Sequence, residues 1–416
     1  MPSEIALTVA AGRARAPSIE SRASWVAAIT ALGIMSVTLG APFISIVALR
    51  QISEELGTTR QMVSLCASLS WLGAALGGPM MGRAAERFGE RRTVVLGAAM
   101  SAAGLALAAS GGAATLLLGH GLFIGLLGNG AINAPLYVYV CRWFDRRLGS
   151  AIALISSGAY VAGVLWPELF QFSVAGGGWR VTMLGYAAFE CVAVIPAALW
   201  LLRPPPARVA STAAAHGHDG KTRVLGMPAT LATTLLLAAS FSCCVTMSMP
   251  QTHLVAFCGD LGIPGVTGAG MLSVLLASAF FSRQFWGWVA DHMGGLRASL
   301  AASTVQAVAM TGFLLTQSET GLFAVSAVFG LGFSGIVPGY IVAIGQHFPA
   351  AQAVRRVPLQ MLSSGMGMAF GSWSAGALYD AFGTYVPGFS LGVGFNFINL
   401  AFLSTLVLFE HRRGRS

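Results

Sequence analysis

One arginine stands out among the residues of this sequence that could do chemistry. Arg283 lies deep in an apolar stretch, with Phe280, Phe281, Phe285 and Trp286 beside it. A permanently charged guanidinium inside a membrane span costs at least ~2.5 kcal/mol, so it is expected to face a cavity. In a cavity it could bind a carboxylate through two parallel hydrogen bonds. The alternatives are a structural salt bridge, or a side chain that extends its charged end to the membrane surface.

Four other titratable side chains could carry a proton. They are two histidines and two acids within the apolar stretches of the chain, His253, Glu168, Glu190 and His120. Histidine changes charge near neutral pH. A carboxyl inside a membrane helix is functional by default, although one that pairs with a hydroxyl between packed helices is nearly as common. We rank His253 and Glu168 ahead of Glu190.

The composition places these residues in a membrane. Hydrophobic residues make up 55% of the chain and charged residues 9%, and the mean hydropathy is +0.73. Twelve apolar runs are long enough to cross the hydrocarbon core as helices. The predicted spans 1 to 12 are 25–50, 61–82, 92–112, 113–141, 149–173, 181–202, 228–257, 264–289, 296–316, 320–346, 356–380 and 386–409. The sequence therefore predicts an all-α membrane protein.

Proline and polar residues divide the chain into two halves. Pro204, Pro205 and Pro206 end the sixth span, and a polar stretch follows that is typical of a flexible linker. The predicted segments are an N-terminal tail (1–24), a six-span N-terminal half (25–202), a linker (203–227), a six-span C-terminal half (228–409) and a C-terminal tail (410–416).

The basic residues predict the orientation. Most of the 24 Lys and Arg residues fall on one side of the membrane if both termini are cytoplasmic. We expect a multi-pass protein of the cell inner (cytoplasmic) membrane, in contact with the lipid bilayer. The net charge of +9 then reflects topology. It does not indicate a nucleic-acid partner, which would need a basic face on a soluble domain.

A charged, glycine-containing turn between spans 2 and 3 is repeated between spans 8 and 9. Its residues are Gly82, Glu86, Arg87, Gly89, Arg91 and Arg92 in the first copy, and Gly287, Asp291, Gly294 and Arg297 in the second. The copies start 205 residues apart in a chain of 416, which indicates two halves built to one plan.

This turn resembles the signature loop of the major facilitator superfamily. Glu86 stands where that loop usually has aspartate, and Glu90 where it commonly has a basic residue. The resemblance implies two six-helix bundles related by a pseudo-twofold axis, with a site near the midplane and alternating access by rocking of the halves. It also implies that the two loops act as a gate.

Further segments resemble the monocarboxylate and oxalate/formate porters of that superfamily. They are Arg142-Trp143-Phe144 with Arg147, Gly178-Trp179-Arg180, and Gln251-Thr252-His253-Leu254. These porters have an arginine at the position of Arg283, where it binds the substrate anion. Their aspartate one turn earlier is replaced here by Ala279, and neither span 1 nor span 11 contains a lysine. A single fixed charge suits a monoanion better than a dianion.

The remaining wall of such a pocket should be aromatic with a few polar groups. Candidates on the spans that would line it are Phe43, Asn133, Tyr137, Tyr160, Tyr340 and Ser364. Core packing explains any one of these residues equally well, so only the six residues together support a pocket.

We therefore expect a secondary transporter of a small organic anion, a monocarboxylate in the first place, with proton symport or exchange against a counter-anion. We expect a monomer without cofactor or metal, and not an enzyme, because no nucleophile and base or metal cluster is visible on facing helices. The alternatives are an efflux carrier for amphiphilic or cationic compounds on the same fold, and a transporter-like receptor that binds without flux.

Overall fold

The computed structural model describes residues 20–144, 147–204, 223–348 and 350–413. Most of the predicted N-terminal tail and linker (1–19 and 205–222), the last residues of the C-terminal tail (414–416) and the side chain of Glu86 lie outside this description. Within the described ranges the chain is helical apart from one two-stranded hairpin and short connections.

The N-terminal half begins with four spans. Span 1 is Arg22–Thr38 and Ala41–Val47, followed by Leu49–Glu55. Span 2 is Arg60–Phe88 and span 3 is Glu90–Ser110. Span 4 consists of Ala113–Leu118, a π-helix over Gly119–Asn129, and Gly130–Cys141.

Spans 5 and 6 follow each other with only a bend between them. Leu148–Ser156 opens span 5, and Gly158–Leu201 forms one continuous run of 44 residues. Gly178 interrupts this run with a φ of 78° and a ψ of 166°, a conformation that only glycine adopts readily. The run is therefore two spans that meet at Gly178.

The C-terminal half begins with a hairpin of Arg223–Val224 and Met227–Pro228. Span 7 is Ala229–Asp260, span 8 is Gly265–Met293 and span 9 is Gly295–Leu315. Span 10 is Glu319–Phe333 and Ile336–His347, span 11 is Ala350–Phe382, and span 12 is Val386–Arg413. The last helix continues beyond residue 409, the predicted end of span 12.

Ten helical stretches among the described residues are long and apolar enough to cross a membrane. One of them, Leu154–Leu201, contains both spans 5 and 6. The helix Ala350–Phe382 is outside these ten, but its 33 residues would measure about 50 Å along the axis. The helices are thus consistent with the twelve predicted spans.

The two signature loops have the same backbone conformation. Gly89 ends span 2 with φ 85° and ψ 147°, and Gly294 ends span 8 with φ 87° and ψ 153°. In both copies the glycine is followed at once by the next helix. The internal repeat seen in the sequence is therefore also a repeat of local structure.

The ends of the helices define two faces. We call the end that carries Arg22 and Arg413 the terminal face, and the end that carries Asp260 and Phe382 the opposite face. Between the halves, span 2 packs against span 11 and span 5 packs against span 8. A site between the halves must therefore be formed by these four spans and their neighbours.

Glycines let the helices within each half approach closely. A Cβ at Gly77 of span 2 would collide with the carbonyl oxygen of Leu126 in span 4. A Cβ at Gly330 of span 10 would collide with the carbonyl oxygen of Leu275 in span 8. Helices in lipid depend on such close packing, since side chains and lipid tails are equally apolar.

We expect Gly330→Ala to lower the stability of the protein by roughly 1–3 kcal/mol, because the backbone of span 8 cannot move away from the added methyl group. The control is Gly345→Ala on the same span, where no atom lies within 4 Å of the added Cβ. Alanine favours the helix by about 1 kcal/mol, so the control should be neutral or stabilising. Thermal unfolding in detergent measures both, and equal melting temperatures would contradict the packing argument.

Candidate functional site

Arg283 connects the two halves near the middle of the molecule. Its Nη1 donates hydrogen bonds to the backbone oxygen of Ser156 at 3.1 Å and to its Oγ at 2.8 Å. The guanidinium carbon lies 4.9 Å from the ring centroid of Tyr160. Ten residues separate Arg283 from Met293 at the end of span 8, so the guanidinium lies about 15 Å from the terminal face along the helix.

The charge of Arg283 is not neutralised by the protein. Among the residues that the structure describes, no carboxylate forms an ion pair with it. Its Nε is buried and has no hydrogen-bond partner. The side chain is thus held on one edge by Ser156 and retains a donor for a ligand.

Span 4 completes this group of side chains. The Tyr137 hydroxyl interacts with the side chain of Ser156 and with the charge of Arg283. Asn133 lies one turn away on the same helix face, and its Oδ1 is buried without a partner. We call Asn133, Tyr137, Ser156, Tyr160 and Arg283 the Arg283 cluster.

Phe43 lies at the same boundary between the halves, one turn further toward the opposite face. A Cβ at Gly163 would be 3.1 Å from Cζ of Phe43 and would also collide with the side chain of Leu276. Gly163 follows Tyr160 by three residues on span 5. Phe43 therefore contributes an apolar wall beside the Arg283 cluster.

Two predicted pocket residues lie elsewhere in this structure. Tyr340 is fully buried and donates a 2.6 Å hydrogen bond to Oδ1 of Asn399. Ser364 shares a 2.6 Å hydrogen bond with Ser240 and accepts one from Gln360 at 3.0 Å. Both groups lie inside the C-terminal half, so the structure does not bring these residues to Arg283.

Sequence reasoning did not select Ser156 as a site residue. The sequence contains one pattern that could have indicated Ser156: the segment Ser156-Ser157-Gly158 recurs as Ser363-Ser364-Gly365 in the second half. A serine that supplies both its carbonyl oxygen and its hydroxyl can position an arginine, but the sequence alone does not show which of the four serines does so.

A second group of charged residues joins the halves at the opposite face. Arg60, at the start of span 2, forms a two-pronged ion pair with Asp260 at the end of span 7, with Nη1–Oδ2 at 2.6 Å and Nη2–Oδ1 at 2.7 Å. The guanidinium carbon lies 3.8 Å from the ring centroid of Tyr379. Nη1 also donates a 3.1 Å hydrogen bond to the hydroxyl of Tyr385.

Asp380 adds a contact at the N-terminus of span 2. Its two carboxylate oxygens accept hydrogen bonds from the backbone N–H groups of Arg60 at 3.0 Å and Gln61 at 2.7 Å. A carboxylate stabilises a helix N-terminus through these free N–H groups and through the helix dipole. Here the carboxylate comes from the other half. We call Arg60, Asp260, Tyr379, Asp380 and Tyr385 the inter-half cluster.

The neighbouring contacts hold spans 2 and 11 together near the opposite face. Ser68 of span 2 donates to the backbone oxygen of Ala369 at 2.7 Å, and Ser372 of span 11 donates to that of Ser64 at 3.3 Å. On the terminal side of Arg283, the described residues show no hydrogen bond or ion pair between the halves. The structure is therefore held together on the opposite face.

The match to a family model agrees with this architecture. The model of the Major Facilitator Superfamily matches residues 25–353. The chain belongs to the major facilitator superfamily. Members of this family are transporters and not enzymes, in agreement with the expectation from the sequence.

The superfamily relatives include named carboxylate transporters. Monocarboxylate transporter 13 of Bos taurus is 27% identical over 83% of this chain and 80% of its own length. Monocarboxylate transporter 11 of Homo sapiens is 25% identical over 88% of this chain and 79% of its own length. The MFS-type transporter pynF of Aspergillus niger is 26% identical over 78% of this chain and 74% of its own length.

A solved structure of the same fold is the crystal structure of the peptide transporter POT in complex with sulfate. It superposes with a TM-score of 0.72, and the match covers 94% of this chain and 95% of that chain at 15% sequence identity. At this level of identity the similarity concerns the fold alone. It confirms the predicted major facilitator fold.

The described residues of the two signature loops of this superfamily member form polar contacts within their own halves. Arg91 donates to the backbone oxygen of Leu202 at 3.0 Å, and Glu90 pairs with Arg142 at 2.6 Å. In the second copy, Arg297 pairs with Glu410 at 3.3 Å. Other loop residues that we expected to act in a gate are exposed, namely Arg87, Arg92, Gly287 and Asp291. The described side chains of the two loops form no hydrogen bond or ion pair between the halves in this conformation, and the side chain of Glu86 lies outside the description.

The four proton-binding candidates are distributed over the superfamily fold. Glu190 is fully buried in the N-terminal half and accepts a 3.0 Å hydrogen bond from Ser101. His120 is also buried there, with Nδ1 3.0 Å from the backbone oxygen of Leu116. Glu168 is exposed and faces Gly270 of span 8. His253 lies beside the inter-half cluster, 3.2 Å from the Tyr385 hydroxyl.

Glu190 has an uncharged counterpart in the second half. Glu190 meets Ser101 between spans 6 and 3, and Asn396 meets Gln306 at 3.0 Å between spans 12 and 9. The two pairs occupy equivalent positions of the repeat, and each leaves one buried oxygen without a partner, Oε1 of Glu190 and Oδ1 of Asn396. The side chain of Glu190 thus occupies the place of an amide in a packed interior.

We expect Glu190→Gln to keep both the fold and the transport activity, because an amide can accept the hydrogen bond of Ser101 as the carboxyl does. Ser101→Ala should instead lower stability by roughly 1–3 kcal/mol, since it leaves a buried oxygen unsatisfied. Thermal unfolding and uptake assays check the two variants. Loss of uptake in a stable Glu190→Gln protein would return Glu190 to the proton-coupling residues.

Proposed function

We propose that this protein is a secondary transporter that moves a small organic monoanion, a monocarboxylate in the first place, by alternating access. The observation that carries the proposal is the Arg283 guanidinium, which has a buried, unpartnered Nε and no ion pair with a described carboxylate. A buried charge without a counter-charge is costly. A bound carboxylate would supply that counter-charge.

The contacts of Arg283 suggest how the carboxylate binds. Nη1 is occupied by Ser156. The Nε–H and the second terminal nitrogen lie on the other edge of the guanidinium and can donate two parallel hydrogen bonds to one carboxylate. Tyr160 lies against the guanidinium, a cation–π contact of about 0.5–2 kcal/mol. The arginine is thus positioned before the substrate arrives.

The surroundings fit the organic part of such an anion. Phe43 and Tyr160 provide apolar walls, and Asn133 and Tyr137 provide a small number of polar groups. Pockets for small organic ligands commonly have this composition. The names of two relatives, monocarboxylate transporters 13 and 11, support the same substrate class. We propose that Tyr340 and Ser364 line this pocket only in another conformation of the protein.

A single positive charge favours a monoanion. The only lysine of the chain, Lys221, belongs to the linker, and Arg283 is the one basic residue of the Arg283 cluster. A dicarboxylate would keep one negative charge without a partner in surroundings of low dielectric constant, which costs free energy.

The proposal also includes the orientation of the protein in the membrane and the coupling of transport. Arginines concentrated in the loops of the terminal face indicate that this face and both termini are cytoplasmic, in the cell inner membrane. Transport would be driven by a proton or a counter-anion, with His253 and Glu168 as the proton carriers. In the alternate conformation, the two signature loops would close the terminal face. We propose that the protein works as a monomer.

We expect Arg283→Gln to reduce the uptake of monocarboxylates into proteoliposomes by at least about tenfold, because one charged carboxylate contact contributes about 1.5–3 kcal/mol. Arg283→Lys should restore part of the uptake, since it keeps the charge but not the two-pronged geometry. The assay uses a panel of radiolabelled monocarboxylates, with and without an inward proton gradient. The response to the gradient distinguishes symport from exchange.

The matched control is Arg356→Gln. Arg356 also donates to a hydroxyl, Thr233 Oγ1 at 2.7 Å, and also lies over an aromatic ring, that of Phe348 at 4.3 Å. Its contacts stay within the C-terminal half, so its removal should leave uptake nearly unchanged. Full carboxylate uptake by Arg283→Gln would disprove the proposal. Export of a lipophilic cation in its place would favour an efflux carrier.

Charge selectivity gives a separate expectation. A monocarboxylate such as propionate should compete for uptake at least about tenfold better than malonate, the dicarboxylate of equal chain length, because the second carboxylate would remain unpaired. Competition against a labelled monocarboxylate at a pH where both malonate groups are ionised measures this ratio. Equal competition would show that a second cation contributes to the site.

A further inference from the structure

We propose that His253 is a proton-binding site whose protonation opens the inter-half cluster. Acid on the opposite face would then favour the conformation that is open on that face. The inference rests on the alternating access and on the proton-carrying role of His253 in the proposed function and deepens both, but it needs no particular cargo.

The hydrogen bonds of His253 define its uncharged state in the closed structure. Nε2 lies 2.8 Å from the backbone oxygen of Ser372, and because a carbonyl can only accept, Nε2 carries the hydrogen. Nδ1 then accepts from the hydroxyl of Tyr385 at 3.2 Å. That hydroxyl in turn accepts from Arg60 at 3.1 Å. The bonds run in one direction, from Arg60 through Tyr385 and His253 to Ser372.

The charges around His253 are already engaged with other partners. Arg60 and Asp380 are the charged groups that act on the imidazole. Both oxygens of Asp260 bind Arg60, and both oxygens of Asp380 bind the N-terminus of span 2. Further out, the ring of Tyr379 packs at a tilt against that of Tyr385. The charge of Glu319 in span 10 acts electrostatically on Cys258, near the same end of span 7. None of the described carboxylates pairs with His253.

Protonation disrupts this directed chain. With a hydrogen on both ring nitrogens, His253 can only donate, so Tyr385 would have to accept from His253 and Arg60 at once. Burial raises the pKa of the Tyr385 hydroxyl, so it keeps its own hydrogen, which is left without an acceptor. Two cations from opposite halves then share one buried oxygen. Their repulsion acts across the boundary that Arg60 holds closed.

Opening the cluster removes this penalty. When span 2 moves away from spans 7 and 11, Arg60 leaves His253 and water can reach the imidazole. The open conformation therefore binds the proton more tightly than the closed one. By linkage, a fall in pH raises the ratio of open to closed molecules, and a rise in pH restores the closed form. Histidine changes charge over the pH range in which this shift is expected.

The experiment measures the distance between the halves at the opposite face. Spin labels are placed through Ala114→Cys and Gln317→Cys, two exposed positions at the opposite face. Ala114 lies in the first turn of span 4, and Gln317 lies in the connection between spans 9 and 10. The two partly exposed native cysteines are removed by Cys141→Ala and Cys191→Ala, and the other four are buried. Pulsed electron paramagnetic resonance in nanodiscs and carboxylate-free buffer gives the distance distribution at each pH.

Between about pH 7.5 and about pH 5.5, we expect the ratio of open to closed molecules to grow several-fold in the wild type, and by no more than about tenfold per pH unit, which is the limit for one bound proton. His253→Gln can donate to Ser372 but cannot become charged, so its distribution should stay closed at both pH values. His253→Asn is a second neutral replacement if the first variant does not give monodisperse protein.

The control is His120→Gln, which removes an equally buried histidine whose hydrogen bonds stay within the N-terminal half. It should respond to pH as the wild type does. A wild-type distribution that does not change with pH would overturn the inference without any variant. A response that persists in both neutral variants would overturn it as well. Because no carboxylate is present, either outcome is independent of whether monocarboxylates are the cargo.

Discussion

A single charged side chain that the protein does not neutralise sets the requirements for the rest of the molecule. The permanently charged guanidinium of Arg283 would be costly in contact with lipid, and the boundary between the halves provides polar contacts for it. Ser156 supplies two of these contacts and Tyr160 a third. All of them come from span 5, although Arg283 belongs to span 8. The charge therefore helps to determine how the two halves meet.

The two places where the halves meet through charged groups differ in chemistry. At the opposite face, Arg60 and Asp260 compensate each other, and this contact holds the halves together without any ligand. At the Arg283 cluster the protein supplies only the cation and its neutral partners. In the proposed function, a bound anion would change the electrostatics at the Arg283 cluster and would leave the Arg60 pair as it is. This separation lets binding and closure be controlled by different residues.

Much of the fold could be predicted from the sequence, because membrane helices must be long and apolar and because the repeat gives their order. The repeated backbone conformation of the signature loops, the major facilitator fold and the membership of a transporter family agreed with the prediction, and the gate role of the loops stays a prediction. The inter-half cluster was not predicted. In the sequence, Arg60, Asp260 and Asp380 are ordinary charges near the ends of spans. Only the packing of span 2 against span 11 brings Arg60 to Asp380 and within reach of Asp260 at the end of span 7. The positions of these three residues in the sequence do not show that their side chains meet.

The backbone of span 4 has a consequence for the use of the internal repeat. Span 4 contains a π-helix over Gly119–Asn129, whereas its counterpart, span 10, is interrupted between Phe333 and Ile336. A π-helix has more residues per turn than an α-helix, so the side chains that follow it point in different directions around the helix axis. Tyr137 and Tyr340, which match in sequence, follow these two different interruptions, and only Tyr137 is near Arg283. The duplicated halves are therefore not interchangeable parts. A residue of one half does not inherit its role from its partner in the other.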